Sequence, residues 1–220
     1  VVVEPANITD TITWTTSNEE IATVDQSGKV TALNAGTVKV QAIVGKDTPY
    51  EMIGEYELVI SKHQTTIYGL NDLEITYGTT YNYEPFASSS LTVDVKYYEG
   101  STLLDEKPVN AGIYKVVATV GSNYKYEATS KEATLTINKV KLEKPLANAN
   151  NTFTYNKEAH TYTLLESAYY TISNNSATDA GRYEAVVSIK NTVNYEWADG
   201  TNTDLLYEFV INKAKVETPT

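Results

Sequence analysis

The chain repeats itself. Asn34-Ala35-Gly36-Thr37-Val38-Lys39-Val40, Asn110-Ala111-Gly112-Ile113-Tyr114-Lys115-Val116 and Asp179-Ala180-Gly181-Arg182-Tyr183-Glu184-Ala185 are three copies of one motif, 76 and 69 residues apart. Each copy precedes a second shared landmark: Leu58-Val59-Ile60-Ser61-Lys62, Leu135-Thr136-Ile137-Asn138-Lys139 and Phe209-Val210-Ile211-Asn212-Lys213. Two ordered landmarks at similar spacing are hard to obtain by chance, and they constrain the fold more than any single residue does. A chain of 220 residues has room for one large domain, but a period of about 70 residues divides it into small serial units with thin cores.

Within the repeats the apolar residues alternate. Tyr114, Val116, Ala118 and Val120 share one face, as do Ala133, Leu135 and Ile137. Tyr183, Ala185, Val187 and Ile189 match them in the third copy, followed by Tyr207, Phe209 and Ile211. Leu91, Val93, Val95 and Tyr97 alternate with Thr92, Asp94 and Lys96. One dry face and one wet face over short strands is the pattern of an antiparallel sandwich. Composition agrees: there are 18 Tyr against 3 Phe and 2 Trp, and Tyr suits half-buried strand surfaces because the ring packs while the hydroxyl stays wet. No amphipathic run of helical period interrupts the pattern.

The recurring motif has a mechanical reading. Asp-Ala-Gly-x-Tyr resembles the corner that leads into a late strand of immunoglobulin-type domains, where the tyrosine hydroxyl bonds back to the preceding backbone. Gly36, Gly112 and Gly181 are expected there in a turn conformation costly to other residues, with Tyr114 and Tyr183 as the corner tyrosines. Val116 and Ala185 occupy the places that a disulfide cysteine would take, so packing must substitute for the crosslink. The fold class expected is therefore all-β: three tandem Ig-like antiparallel β-sandwich modules in an elongated rod.

Several function classes are disfavoured by composition. The chain has no cysteine, which removes disulfides, thiol nucleophiles and Cys-based zinc sites. A net charge of −11 with the single arginine Arg182 repels phosphate backbones, so no nucleic-acid partner is expected. No apolar run is long enough to be expected to span a membrane, and no stretch of the given sequence reads as a signal peptide. The abrupt start at Val1–Val3 gives the expectation of a fragment of a longer chain.

Residues Ile12 to Val44 carry a family resemblance. Ile12-Thr13-Trp14-Thr15-Thr16-Ser17-Asn18, Ile21-Ala22-Thr23-Val24-Asp25, Ser27-Gly28-Lys29-Val30-Thr31-Ala32 and Ala35-Gly36-Thr37 occur in the order of the bacterial Ig-like domain, group 2, and the region 1–62 resembles that family without its opening strand. Residues 63–139 and 140–213 resemble the MBG type of bacterial Ig-like module. Ile75-Thr76-Tyr77-Gly78 and Phe153-Thr154-Tyr155-Asn156 carry this, with the corners, Asn123-Tyr124 and Asn194-Tyr195, and the closing Ile-Asn-Lys. Asn156 stands where the pattern prefers Gly, which puts an identical turn in doubt. The resemblance implies an extracellular, cell-surface or secreted stalk or adhesion array with no active site.

The boundaries lack Gly/Ser-rich or Pro-rich spacers. Ile60-Ser61-Lys62-His63 and Ile137-Asn138-Lys139-Val140 carry the last strand of one module almost directly into the next, predicting a semi-rigid rod on the order of 100 Å long. Residues 214–220 repeat the run after Lys139 and read as the start of a following module.

Candidate chemistry is sparse. His63 falls at a boundary and His160 in an early strand or turn; neither sits in a metal or triad motif. Two carboxylates can meet in any acidic protein, but sugar hydrolysis also needs a deep cleft, which sandwiches this small rarely offer. No catalytic residue, no cofactor-binding residue and no metal ligand is assigned. The loop Asp199-Gly200-Thr201-Asn202-Thr203-Asp204 gathers oxygens able to hold Ca²⁺, yet its residues are also ordinary turn formers. Trp197, Tyr195 and Tyr98 are tentative ligand contacts, as rings for stacking on sugar; the competing reading has Tyr195 plugging the sandwich and Trp197 covering an edge. No flanking motif points to a Lys–Asn isopeptide bond. The function expected is a non-catalytic spacer, probed against an alternative in which exposed aromatics bind host or plant glycan, mucin or a surface protein. The partners expected are the other modules of the same chain, with the chain itself monomeric.

Overall fold

The computed structural model describes residues 11–216, so the expectations resting on Val1–Val3 and on Glu217–Pro219 lie outside the described residues. Every regular element among these is a strand. The protein is all-β, as the alternation predicts. The chain divides into two compact units: Val1–Leu70 with Tyr83–Lys96 and Val117–Glu132, and Asn71–Asn82 with Tyr97–Val116 and Ala133–Thr220.

The first unit begins with β1 (Ile12–Thr16), β2 (Ala22–Val24), β3 (Val30–Ala32), β4 (Gly36–Val44) and β5 (Met52–Ile60). β4 lies between β1 and β5 in an antiparallel sheet, and β2 pairs with β3 in a hairpin. The Asp25 carboxylate closes that hairpin by accepting from Ser27 N, Ser27 Oγ and Lys29 N. These bonds, led by the one from the Ser27 side chain, hold the Asp25 pKa below its ordinary value. Register gives two neighbouring rows across the three strands, Trp14–Ala42–Gly54 and Thr16–Val40–Tyr56. Val38, Val40, Ala42 and Val44 are buried along β4. The short pair β6 (Ile67–Tyr68) and β8 (Phe86–Ala87) follows, with Ile67, Leu70 and Ala87 turned inward.

The second unit holds β7 (Leu73–Thr76), β10 (Thr102–Leu103), the end of β9 (Asp94–Glu99), the start of β11 (Gly112–Val120) and the end of β12 (Thr129–Asn138); the sheet order is β10-β9-β11-β12-β7. Beyond Lys139 come β13 (Val140–Leu142), β14 (Thr152–Thr154), β15 (His160–Thr161), β16 (Tyr170–Ser173), β17 (Ser176–Ala177), β18 (Gly181–Ile189), β19 (Tyr195–Trp197) and β20 (Leu205–Asn212). These form a four-stranded sheet, β14-β20-β18-β16, and two pairs, β13-β19 and β15-β17.

The sheets are not purely antiparallel. The opening strand of each later repeat runs parallel to its closing strand, β7 along β12 and β14 along β20, and β13 runs parallel to β19. A parallel pair needs a long crossover connection rather than a tight turn, and here most of a repeat supplies it. Period-two patterning reports which face is dry and is blind to strand direction, so the sequence expected antiparallel pairing throughout.

The expected dry faces of the long strands are buried, with Val116, Ala118, Val120, Leu135, Ala185, Val187, Phe209 and Ile211 all at 2% exposure or less, whereas Leu91, Val93, Val95 and Tyr97 are half-buried. In the third repeat Ala185, Val187 and Phe209 join Tyr162, Tyr170, Leu164 and Trp197 in one core. Tyr162 and Phe209 stack at 5.7 Å, and Tyr183 stacks on Phe209 at 5.3 Å. Aromatic side chains give a small sandwich large buried area per residue. Their hydroxyls find acceptors: Tyr170 donates to Leu165 O and Tyr207 to Pro145 O.

Candidate functional site

Tyr114 Oη donates to Asn110 O at 2.9 Å, and Tyr183 Oη donates to Asp179 O at 2.8 Å. Both are tyrosine corners of the expected kind. The reason for their glycines differs from the expectation. Gly112 and Gly181 are not in the positive-φ region. Instead the tyrosine folds back over the glycine: a Cβ on Gly112 would lie 2.9 Å from the Tyr114 hydroxyl oxygen, and one on Gly181 would lie 3.2 Å from that of Tyr183. Glycine is needed there for space. Only Gly36 has the strained backbone, at φ +152°, and its Cβ would meet Ile21 Cδ1 at 2.8 Å; Val38 takes the tyrosine's place and is buried. The turns after Tyr77 and Tyr155 also differ, as the Gly-to-Asn change suggested. Gly78 carries positive φ in one, whereas in the other it falls on Lys157 and Asn156 Oδ1 caps Glu158 N.

The two Asn-Tyr loops approach these corners. In the first unit, Ala35 N donates to Tyr124 O at 3.0 Å, and His63 N donates to Lys125 O while Glu127 N donates to His63 O. The His63 ring lies 5.9 Å from that of Tyr126. In the second unit, Ala111 N donates to Asn194 Oδ1 at 2.7 Å and Asn194 Nδ2 donates to Asn110 Oδ1 at 2.9 Å. Val140 N donates to Asn194 O, and Lys139 Nζ to Thr192 O. Asn194 is only 3% exposed, so this amide is a buried polar group with its partners supplied. The recurrence of both Asn-Tyr pairs is plain in the sequence, but nothing there signals what they touch, since Asn194 meets partners 83 and 84 residues away and Tyr124 meets Ala35 from a different repeat.

The tentative ligand contacts separate. Trp197 is fully buried, with its indole N–H donating to Thr203 O and its ring 5.8 Å from Tyr170. It is a core residue and is withdrawn as a ligand contact. Its size and its ability to satisfy its one donor on a loop carbonyl make it a filler. Tyr98 is half-buried, and Lys115 Nζ stands 5.1 Å from its ring centre. Tyr195 is half-buried between Tyr77, edge-on at 5.6 Å, and Tyr169 at 5.0 Å. Burial, then Tyr77 and Tyr169, raise its pKa above the ordinary value. Only Tyr169 of that trio is well exposed, at 47%. The most open aromatic pair was missed by sequence reasoning: Tyr68 and Phe86 stack at 5.4 Å across β6 and β8, exposed by 47% and 62%. Their strands are two residues long, too short for a period to register.

The acidic loop is a turn. Asp199 Oδ2 accepts from Lys144 Nζ at 2.5 Å, while Oδ1 accepts from Thr201 N and Oγ1. Lys144, then Thr201, holds its carboxyl well below the usual carboxylate range. With both oxygens engaged, the loop offers a cation little. Among the described residues no group of three His, Asp or Glu side chains is arranged to hold a metal. His160 lies against Phe153, ring centres 5.1 Å apart. A cavity of about 790 Å³ in the second unit is lined by Thr76, Gly112, Asn138, Lys139, Lys141 and Glu196, among others. Glu196 is the sole acid among its lining residues, so it presents no pair of carboxylates.

The comparisons with known proteins follow this picture. Residues 1–51 match the bacterial Ig-like domain (group 2). No curated protein matches the chain. Solved structures with some likeness include a Bacteroides ovatus mixed-linkage glucan utilization protein, SGBP-B, in complex with a mixed-linkage heptasaccharide. It is 11% identical, with 70% of this chain and 48% of that one covered and a TM-score of 0.30. The chain thus spans about half of that structure. A Drosophila N-cadherin EC1-4 structure is 12% identical over 93% of this chain and 67% of that one, with a TM-score of 0.30. A three-domain titin fragment is 14% identical over 93% and 88%, with a TM-score of 0.31. No helix among the described residues is long and apolar enough to cross a membrane.

Proposed function

We propose that the chain is a non-catalytic spacing segment of an extracellular bacterial protein. It is built from a group 2 bacterial Ig-like module at 1–62 and two MBG-type modules at 63–139 and 140–213. The observation that carries this is the way each repeat succeeds the last. Val140, the residue directly after the closing Lys139, already hydrogen-bonds to Asn194 of the next repeat, and His63 after Lys62 bonds in the same way to Lys125. A linker whose first residue is fixed leaves little hinge freedom. Small-angle scattering on the chain tests the reading: a maximum dimension on the order of 100 Å with little spread supports it. A compact particle, or modules tumbling independently, overturns it.

A second reading is favoured by the Tyr68–Phe86 pair. Two exposed, stacked rings make an apolar patch against which a sugar ring can pack. Retention of the chain on glucan or mucin, lost in Tyr68→Ala/Phe86→Ala, supports it; equal retention of both proteins rejects it.

A further inference from the structure

The three corners are equivalent in sequence but not in environment. The backbone N–H of the alanine before the glycine is the group to follow. In the first corner Ala35 N donates to the carbonyl of Tyr124; in the second Ala111 N donates to the side chain of Asn194. Each acceptor belongs to the Asn-Tyr loop of the repeat that comes next in sequence. At both places the residue after the closing lysine, His63 or Val140, bonds into that same loop. In the third corner Ala180 N has no partner among the described residues, and Asp179 and Ala180 are exposed. Tyr114 is buried in the second corner, whereas Tyr183 in the third is only half-buried.

From this we propose that the Asn/Asp-Ala-Gly corner is a docking element that receives the Asn-Tyr loop of the following repeat, and that the third corner, Asp179–Gly181, is an interaction surface for another such loop. The occupant is a β-module of the same kind, presenting an amide oxygen or backbone carbonyl to Ala180 N and a small face to Gly181. The chain's own two Asn-Tyr loops are both engaged, so they do not satisfy the third corner, and copies of this chain are not expected to join through it. The buried Asn194 shows why the contact is selective. Its amide both accepts from Ala111 N and donates to Asn110 Oδ1, and an apolar replacement would leave those groups buried and unpaired. Asp179 in the third corner offers only acceptor oxygens, which an incoming asparagine can meet with its NH₂ group. The inference rests on the serial-spacer reading only in treating the repeats as successive units.

Amide hydrogen exchange on the whole chain tests it. Ala111 N–H is expected to exchange slowly and Ala180 N–H at the rate of an open turn. Asn194→Ala should speed Ala111 exchange at least about tenfold while leaving Ala35 unchanged, and Asn194→Asp, which retains the acceptor but sets a carboxylate against Asn110 Oδ1, should give an intermediate rate. Trp197 fluorescence reports whether each variant is folded. Chain 1–213 extended by a second copy of residues 140–213 should slow Ala180 exchange by a similar factor, and alanine at the added copy's equivalent of Asn194 should restore the fast rate. Ala111 exchange unchanged in a folded Asn194→Ala protein overturns the docking role. Ala180 exchange equally fast with and without a folded added copy overturns the third corner as a receptor. Either result leaves the scattering test of the spacer untouched.

Discussion

The second and third repeats are sister sequences that solve the same packing problem with different side chains. Both run the opening strand parallel to the closing one and lock the start of a long strand with a tyrosine corner. They part company at the Asn-Tyr-x-aromatic loop. In the second repeat Asn123 caps its own loop, accepting from Lys125 N and Tyr126 N, and Tyr126 stays half-buried. In the third, Asn191 does the capping, accepting from Val193 N and Asn194 N. That releases Asn194 to reach the preceding corner, and Trp197 replaces Tyr126 and fills the core. The same motif can therefore spend its asparagine on itself or on its neighbour, depending on whether a second asparagine stands three residues earlier.

Truncating the core aromatic gives the largest expected effect. Trp197→Ala should cost the third repeat about 3–5 kcal/mol, enough to unfold a sandwich of this size. Tyr126→Ala should cost the second repeat about 1–2 kcal/mol, since a half-buried ring gives up only part of its area. Exchange rates of Val187 and Val116 amides read the two repeats separately; equal losses would break the comparison.

The corner glycines come next. Gly112→Ala drives a methyl into the buried Tyr114 ring and should cost about 1–3 kcal/mol. Gly181→Ala meets Tyr183 at a slightly longer distance, and that half-exposed ring has room to tilt, so the loss should be under about 1 kcal/mol. Thermal unfolding of the two variants checks the order. If the reverse order is found, the glycines serve the backbone rather than the ring. Removing only the hydroxyl is gentler still: Tyr114→Phe should cost about 1 kcal/mol, because the Asn110 carbonyl loses its bond at a buried corner. Tyr183→Phe should cost less, since water can reach the Asp179 carbonyl.

Much of this was legible beforehand, for a definite reason. Strand faces follow a period of two, so Val116, Leu135, Ala185 and Phe209 identified themselves as core. The corner tyrosines were legible because the motif states its own local bond, four residues long. What failed was anything requiring a partner. Trp197 next to a polar loop looks the same in sequence whether it points in or out, and burial at 0% depends on Tyr170 and Leu142 arriving from elsewhere. The glycines were assigned to backbone freedom because that is a property of the residue alone, whereas the clash with Tyr114 exists only once the ring has folded back.

The smallest effect concerns alkaline pH. Burial raises the pKa of Tyr97 and Tyr114 in the second repeat, with Glu99 adding to Tyr114. Burial also raises Tyr170, Tyr195 and Tyr207 in the third, with neighbouring tyrosines adding to the last two. A tyrosine whose folded pKa lies above its unfolded value of about 10 holds its proton longer in the native state. Its contribution to stability is complete below that value and is lost as pH rises through the folded pKa. Ionised, Tyr170 and Tyr207 would also lack the proton they donate to Leu165 O and Pro145 O. The unfolding midpoint should accordingly be flat from pH 7 to about 9.5 and fall above about 10. Exchange in β18 should rise over this range, relative to its intrinsic rate, because Tyr170, Tyr195 and Tyr207 support its repeat. Tyrosinate absorbance followed along the same titration distinguishes this from general charge repulsion: a native-state transition centred at 10 for all tyrosines would remove the cause proposed here.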